Sequence, residues 1–284
     1  MSDNTDRPTS KVWFITGAGR GIGVSLAREA LAAGHSVIAT GRQPSAVSEA
    51  IGEHDNLLCA RLDVTQPGEA TAAADEAVGR FGRIDVLVNN AGSSYKGFFE
   101  EMSLSQVDEQ LATNLLGPMN VTRAVLPIMR RQRHGHVISV SSGAGLLGFP
   151  YSSVYAASKF GLEGWMGALT AEIQPFGIST TIVNPGWFRT GLTSPESMMW
   201  PDIAVADYAE RSAEQRQWWE SQDGQQAGDP TKLARALLLI AHEHPIPARF
   251  IAGADVLQLA ERKIAELREQ IESHRELSGS LSFD

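Results

Sequence analysis

The chain has 284 residues, of which 43% are hydrophobic and 20% are charged, as in an ordinary globular protein. Its formal net charge of -9 argues against nucleic acid or an anionic membrane surface as a partner. No apolar run approaches the roughly 18 residues that span a bilayer, and the polar residues 1–10 lack the apolar core of a signal peptide. The single cysteine, Cys59, allows no internal disulfide. We therefore expect a soluble, cytoplasmic protein in which residues 1–10 are a disordered lead-in.

From residue 11 onwards, short apolar runs alternate with longer segments of helical periodicity. Consecutive apolar residues in the short runs suit strands that are covered on both faces. Helices between such strands predict an α/β fold, a doubly wound parallel sheet in a single domain over residues 11–284. The predicted strands are 12–16, 36–40, 57–62, 86–89, 136–140, 178–183 and a last one near 249–251.

A glycine-rich turn separates the first predicted strand from the first helix. Glycines allow the backbone to turn tightly and to approach a pyrophosphate, whose charge is stabilised at the helix N-terminus. The alternative is a strand–helix turn without a ligand, which its place between an N-terminal strand and a helix disfavours. The residues of the predicted dinucleotide-binding turn are Gly17, Gly19, Arg20, Gly21, Ile22 and Gly23.

The end of the second strand bears on the choice between NAD(H) and NADP(H). An NAD site usually has an acidic residue here to bind the ribose 2′-hydroxyl, whereas this chain has Gly41 and Arg42. Arg42 is placed to pair with a 2′-phosphate, and Arg20 could be a second cation there. Both arginines could instead be merely solvated. We predict a preference for NADP(H), with further cofactor contacts at the ends of the third and fourth strands from Asp63, Val64, Asn90, Ala91 and Gly92.

Tyr155 and Lys159 are four residues apart, which places both side chains on one face of a helix. An ammonium beside a phenol favours the phenolate, so we expect a lowered pKa for Tyr155. A tyrosine of this kind can exchange a proton with an alcohol or ketone oxygen. The pair alone is common by chance and gains weight from the glycine turn and a serine upstream.

Taken together, these residues resemble the short-chain dehydrogenase/reductase family over roughly residues 11 to 255. The resemblance rests on the glycine turn, Asp63, Asn89 to Gly92, Asn114, Ser142, Tyr155, Lys159, Pro185, Gly186 and Thr190, in the family's order and approximate spacing. It implies a Rossmann-like domain with a seven-stranded parallel sheet and NAD(P)-dependent carbonyl/alcohol chemistry, with no metal.

The resemblance also implies the roles of individual residues. Tyr155 would be the general acid/base, and Lys159 would hold the nicotinamide ribose and lower the Tyr155 pKa. Ser142, preferred over its neighbour Ser141, would orient the substrate oxygen. Asn114 would hold a water that links Lys159 to solvent, or be a structural hydrogen-bonding residue. The nicotinamide carboxamide would contact Pro185, Gly186 and Thr190.

Substrate contacts in this family come from segments after the fourth, fifth and sixth strands. Here they would include Ser142, Leu147, Tyr151, Trp187 and Phe188. An insert at about 191–228 is rich in apolar side chains and could be a lid over the pocket, or it could simply pack onto the body. We expect an apolar carbonyl or alcohol as the substrate.

The C-terminal region departs from the common family pattern. A helix is predicted at about 255–277, with an apolar stripe of Leu257, Ala260, Ile264, Leu267 and Ile271 that we expect to pack on its own domain. The tail puts the tetramer of many family members in doubt, so a homodimer and a homotetramer both remain. It suggests a bacterial 17β-hydroxysteroid dehydrogenase-like subgroup, without establishing a steroid substrate.

Two alternatives to this NADP(H)-dependent oxidoreductase remain. One is a catalytically weak NADP(H)-binding sensor, which would predict decay of the Asn114, Ser142, Tyr155 and Lys159 set. The other is an acyl-thioester 3-ketoreductase, which would need a basic entrance for an acidic carrier. The one obvious basic cluster, residues 130–133, is better explained as a solvated helix end.

Overall fold

The structure is a computed structural model that describes residues 10–194 and 196–283, so most of the predicted lead-in, 1–10, lies outside the described residues. As expected, seven parallel strands form one sheet, and their order is β3-β2-β1-β4-β5-β6-β7. All seven predicted strands are present, with ends shifted by no more than two residues. They are β1 (Val12–Ile15), β2 (Ser36–Gly41), β3 (Leu57–Arg61), β4 (Val86–Asn89), β5 (Gly135–Val140), β6 (Ile178–Pro185) and β7 (Arg249–Ala252).

Helices cover both faces of the sheet and make the crossovers between its strands. None of those in the described ranges is long and apolar enough to cross a bilayer. The α-helices are α1 (Gly21–Ala32), α2 (Pro44–Ile51), α3 (Pro67–Phe81), α4 (Leu104–Leu111), α5 (Gly117–Gln132), α6 (Ser153–Ile173), α7 (Ala209–Ser221), α8 (Pro230–Ile240) and α9 (Ala254–Gly279).

The sheet separates two hydrophobic cores. In β1, Phe14 packs into the core shared with α3, α5 and α6, whereas Trp13 and Ile15 pack into the core shared with α1 and α8. This alternation explains why consecutive residues of the strand are all apolar: each face meets a helix layer. Burial on both faces fixes the register of the strands and therefore the positions of the loops at their ends.

The strand order places a crevice at one edge of the sheet. β1 pairs with β2 on one side and β4 on the other, so the chain leaves β1 and β4 towards opposite faces. Ligands bind to open α/β sheets at such a switch point, outside the carboxyl ends of the strands. The glycine turn after β1 and the Asn90 segment after β4 meet there.

The insert predicted at about 191–228 contains α7 and lies beside the carboxyl ends of the strands. Short bridges join Tyr95 to Met199 and Phe188 to Gly228 at its two ends. No residue of α7 is buried, and Trp218 is 44% exposed. The insert is therefore attached mainly through its ends, where Thr193, Met198 and Gln226 are buried, whereas α7 lies on the surface.

The C-terminal helix has the predicted place, but its apolar stripe does not pack on its own domain. Only Val256 of α9 is buried, and Leu257, Ile264, Leu267 and Ile271 are 45% to 56% exposed. The reason is that α9 contacts β7 and the turn after β5 with its first residues only, and then leaves the body. The expectation of packing against the chain's own domain is wrong for these residues.

Candidate active site

A cleft of about 1810 Å³ runs along the carboxyl ends of the strands. One end is lined by the glycine turn and the end of β2, and the other end by Trp218 and Trp219 of α7. Tyr155 and Ser142 lie between them. Most of the predicted cofactor and catalytic residues are thus arranged along a single cleft.

The glycine turn has the conformation that a dinucleotide needs. Gly17 has a φ of +65°, and a Cβ atom there would lie 2.8 Å from the Cα atom of Ala91. A Cβ atom on Gly19 would meet only a methyl group of Val47, at 3.6 Å, so the backbone here is open to the cleft. The N-terminus of α1 has no side-chain cap and no acidic residue in its first turn. Its free N–H groups fit a pyrophosphate.

Side chains from β1 and β4 hold this turn in place. The Asn90 amide donates to the carbonyl oxygens of Thr16 and Gly17 at 2.9 and 3.1 Å. The Thr16 hydroxyl accepts from the backbone N–H groups of Asn90 and Ala91 at 2.9 and 3.0 Å. Asn90 therefore acts here on the backbone that would face the cofactor.

Two arginines, Arg42 and Arg61, lie at the end of β2, where the sequence favours a 2′-phosphate, and a third, Arg20, lies in the glycine turn. Arg42 is exposed and lines the cleft. Arg61, which was not predicted, also lines it and donates to the Arg42 carbonyl oxygen at 3.1 Å. Arg20 lines the cleft too, but its guanidinium donates to the Ser197 hydroxyl in the insert. Burial by itself would raise the pKa of Asp63. Hydrogen bonds with Thr65 and the charges of Arg42 and Arg61 outweigh burial, so the pKa of this carboxyl group is lowered.

Three of the four predicted catalytic residues, Ser142, Tyr155 and Lys159, come together in the cleft. Ser142 follows β5 and lines the cleft together with Tyr155 of α6. The Ser142 hydroxyl accepts from the Ala144 N–H at 3.1 Å, which orients it. Lys159 lies one turn further along α6, with its Nζ 5.7 Å from the Tyr155 ring centroid, and donates to the Val140 carbonyl at 2.9 Å.

The electrostatics of Tyr155 differ from the expectation. Burial raises the pKa of Tyr155, and the neighbouring Ser142 side chain opposes this only in part. Burial also lowers the pKa of Lys159 to about 8, against the charge of Glu163. Among the protein's own side chains, Lys159 does not lower the pKa of Tyr155, so this prediction is wrong. Desolvation of the phenol dominates, and the ammonium donates to a carbonyl instead.

Asn114 lies behind this site rather than in the cleft wall. It is 1% exposed, within a widened helical turn at residues 112–116 between α4 and α5. Its amide donates to the Ser93 carbonyl and to the Ser158 hydroxyl at 2.9 and 3.2 Å, and its oxygen accepts from the Ser93 N–H at 2.9 Å. This asparagine fixes the loop after β4 against α6.

A buried carboxylate that the sequence analysis missed supports Ser142. The Oε1 atom of Glu163 accepts from the Ser141 hydroxyl and the Asn184 amide, each at 2.6 Å. The same amide of Asn184 donates to the Ser142 carbonyl at 2.8 Å, and Arg249 pairs with Glu163 at 2.7 Å. The available signal was the position of Glu163, one helical turn after Lys159 on α6.

The turn after β6 lies beside the catalytic residues, as predicted. Pro185, Gly186 and Thr190 line the cleft. A Cβ atom on Gly186 would lie 2.1 Å from a carboxylate oxygen of Asp255 in α9. Asp255 also accepts from the Trp187 N–H at 2.8 Å, so the first turn of α9 holds this segment.

The substrate end differs from the prediction at two positions. Trp187 and Phe188 line the cleft, but Leu147 and Tyr151 do not. Tyr151 has a φ of +62°, and this left-handed turn directs its ring against Phe98, 5.1 Å away between centroids. The cleft instead has walls from Phe149, Lys96, Trp218 and Trp219.

The profile of the short chain dehydrogenase family matches residues 11–199. The chain belongs to this family. A relative from Botryotinia fuckeliana, Oxidoreductase BOA17, is 34% identical over 95% of this chain and 98% of its own length. A 3-ketodihydrosphingosine reductase from Bacteroides thetaiotaomicron is 36% identical over 83% of this chain and 85% of the relative. A short-chain dehydrogenase structure from Streptomyces avermitilis superposes with a TM-score of 0.87 and 34% identity, covering 96% of this chain and 100% of that one.

Membership in the short-chain dehydrogenase family makes the chain an oxidoreductase with a nicotinamide-binding cleft. No group of three or more potential metal ligands occurs in the residues that the structure describes. The residues missed from the sequence, above all Lys96 and Glu163, lie outside the family's motifs. Their importance depends on burial and on neighbours that are distant in sequence.

Proposed function

We propose that this protein is an NADP(H)-dependent oxidoreductase that interconverts a hydrophobic ketone or aldehyde and its alcohol. When bound, the cofactor supplies or accepts the hydride at its nicotinamide ring. The observation that carries the proposal is the position of Ser142, Tyr155 and Lys159 together in the cleft that begins at the glycine turn.

Tyr155 would act as the general acid in reduction and as the general base in oxidation. Because burial raises the pKa of Tyr155, its phenol carries a proton at neutral pH, which suits donation to a carbonyl oxygen. Ser142 would share that oxygen and orient it. Lys159 would hold the ribose, and Asn114 would keep the surrounding loop and helix in register. The proposal therefore favours the reductive direction.

The preference for NADP(H) is supported by the charges around the end of β2. Arg42 and Arg61 both line the cleft there, and the strand ends in Gly41 rather than in an acidic residue. A guanidinium can bind a phosphate through two parallel hydrogen bonds. An acidic residue that would repel a 2′-phosphate is absent from the strand end itself.

Two alternatives have less support. A sensor without catalysis would be expected to lose part of the Asn114, Ser142, Tyr155 and Lys159 set, and all four are present. An acyl-thioester 3-ketoreductase would need a basic cleft entrance, but Arg130, Arg131 and Arg133 do not line the cleft. The relative named as a 3-ketodihydrosphingosine reductase supports reduction of a keto group more generally.

The proposed assembly is a homodimer or homotetramer. The exposed apolar stripe of α9, Leu257, Ile264, Leu267 and Ile271, offers a surface that a second copy of the chain would cover. Exposed apolar stripes of this kind are uncommon on monomers. A mass in solution equal to one chain, measured by sedimentation, would contradict the assembly.

Replacement of one phenol tests the function. We expect Tyr155→Phe to reduce turnover of a broad carbonyl panel with NADPH by about a hundredfold or more, because the proton donor is lost. Fluorescence titration should show NADPH affinity close to that of the unchanged protein. Tyr151→Phe is the matched control, since Tyr151 lies outside the cleft, and it should keep its turnover.

Either of two results would overturn the proposal. Undiminished turnover by Tyr155→Phe would show that the proton donor is misassigned. NADPH binding without turnover of any carbonyl or alcohol in the panel would favour the sensor.

A further inference from the structure

A lysine outside the family's catalytic set is buried at the substrate end of the cleft. Lys96 is 6% exposed and lines the cleft beside Tyr155. No ion pair with an acidic side chain is formed by Lys96 in the described part of the chain. Buried charges are usually paired, because an isolated ammonium loses its hydration without compensation.

Aromatic rings and one hydroxyl surround this ammonium. Its Nζ atom lies 3.9 Å from the ring centroid of Trp219 and 5.0 Å from that of Tyr155. It donates to the Ser152 hydroxyl at 3.0 Å. Ring faces attract a cation without neutralising it. Burial lowers the pKa of Lys96 to about 7, which reflects the absence of a compensating negative charge.

Two further donors without acceptors lie in the same part of the cleft. The Ser94 hydroxyl and the indole Nε1 of Trp219 are buried without a hydrogen-bond partner, and both residues line the cleft. The segment is extended, since Tyr95 forms a bridge with Met199. Side chains alternate along it: Ser94 and Lys96 are buried, while Tyr95 bonds to Glu109.

We propose that Lys96, Ser94 and Trp219 form a subsite for a carboxylate, so that the preferred substrate is a carbonyl compound with an apolar body and an acidic group near the reacting carbon. This rests on the proposed function and narrows its substrate class. A carboxylate accepts several hydrogen bonds and cancels the charge of the ammonium. A neutral ketone would not stabilise the charged form of Lys96 and would leave the two unpaired donors without a carboxylate to accept from them.

The insert offers a route for such a ligand to enter. Trp219 covers Lys96 from α7, and none of the residues in that helix is buried. A shift of α7 would therefore expose the ammonium without opening a hydrophobic core. The closed position would then place Trp219 over the bound acid and exclude water, which strengthens the charge pair.

A structural role for Lys96, as a link between α6 and α7 through the two rings, is the alternative. That role predicts no discrimination between acidic and neutral substrates. The subsite predicts a strong preference for the acid. The structural role and the carboxylate subsite are therefore distinguished by substrate specificity rather than by stability.

The experiment compares an aryl ketone that carries a carboxylate on its alkyl arm with its methyl ester and its primary-amine analogue, all with NADPH. For the unchanged protein, we expect kcat/KM for the acid to exceed that for the ester by about tenfold or more. The amine should be the poorest, because its cation meets Lys96. In Lys96→Met the ratio of acid to ester should fall by about tenfold or more, and Lys96→Arg should restore part of it.

Lys232→Met is the matched control. It removes the same charge from an exposed position outside the cleft and should keep the ratio of the unchanged protein. Equal kcat/KM for acid and ester in the unchanged protein would overturn the subsite, with or without a folded variant. A preference for the acid that persists in Lys96→Met, with NADPH still bound, would place the anion elsewhere and also overturn it. No turnover of any of the three ketones, or of the wider panel, would instead overturn the proposed function.

Discussion

The two ends of the cleft are built in different ways. At the cofactor end, the backbone itself forms the surface, with Gly17 in a left-handed conformation and Asn90 donating to two carbonyl oxygens of the turn. At the substrate end, the surface consists of side chains from segments far apart in the sequence. Lys96 follows β4, whereas Trp218 and Trp219 belong to α7 in the insert.

The difference lies in what supports each end. Gly17 is packed against Ala91, with strands β1 and β4 buried on both faces beneath them. The helix α7 has no buried residue. A surface on a buried layer can bind one invariant ligand, and a surface of side chains on an insert can vary with the substrate. The cofactor end is therefore sensitive to changes in the backbone, and the substrate end is sensitive to changes in side chains.

We expect the greatest loss of function from a backbone change at the cofactor end. In Gly17→Ala, the new Cβ atom would lie 2.8 Å from the Cα atom of Ala91, and the left-handed φ adds about 1–2 kcal/mol of strain. Because the turn must move to relieve the contact, we expect NADPH binding to be lost in a fluorescence titration, and turnover with it.

Gly34→Ala is the control for the backbone conformation alone. Gly34 has a φ of +81°, and no atom lies within 4 Å of a Cβ placed there. This variant should lose about 1–2 kcal/mol of stability in a thermal or denaturant melt and bind NADPH normally. If Gly17→Ala binds NADPH as well as Gly34→Ala does, close packing against Ala91 does not shape the site.

The same contrast explains which features the sequence predicted. The glycine turn, the strand ends and the Ser142, Tyr155 and Lys159 set are local patterns, and a residue's place in the chain determines its place in the cleft. Arg42 could be predicted as a cofactor residue from its position at the end of β2 alone. The parallel sheet followed from consecutive apolar residues, because burial on both faces leaves no polar alternation.

Other features depend on contacts that a linear pattern does not contain. Tyr151 was placed in the cleft by its position after β5, but a left-handed turn points it at Phe98. The stripe of α9 is apolar, but its periodicity does not identify the surface that it packs against. In the structure, most of this helix extends away from the domain. The pKa of Tyr155 rises because desolvation outweighs the effect of the Ser142 side chain, which spacing alone could not reveal.

A smaller effect is expected when a side chain, rather than the backbone, is changed at the cofactor end. In Arg42→Ala the turn keeps its backbone, so NADH binding should be unchanged. We expect the NADPH dissociation constant to rise by about tenfold to a hundredfold, because charge-assisted hydrogen bonds to the 2′-phosphate are lost. Paired titrations with NADPH and NADH measure the change. Arg131→Ala, which removes a charge outside the cleft, is the control and should bind both cofactors normally.

Arg61 influences how much the affinity for NADPH falls in Arg42→Ala. Arg61 donates to the Arg42 carbonyl and lines the same part of the cleft, so it can retain part of the attraction for phosphate in Arg42→Ala. A residual preference for NADPH that disappears in the double variant Arg42→Ala and Arg61→Ala would show that the two guanidiniums act together. Tighter binding of NADH than of NADPH by the unchanged protein would contradict the assignment of this end to a 2′-phosphate, and oxidation of an alcohol with NAD would replace carbonyl reduction as the proposed reaction.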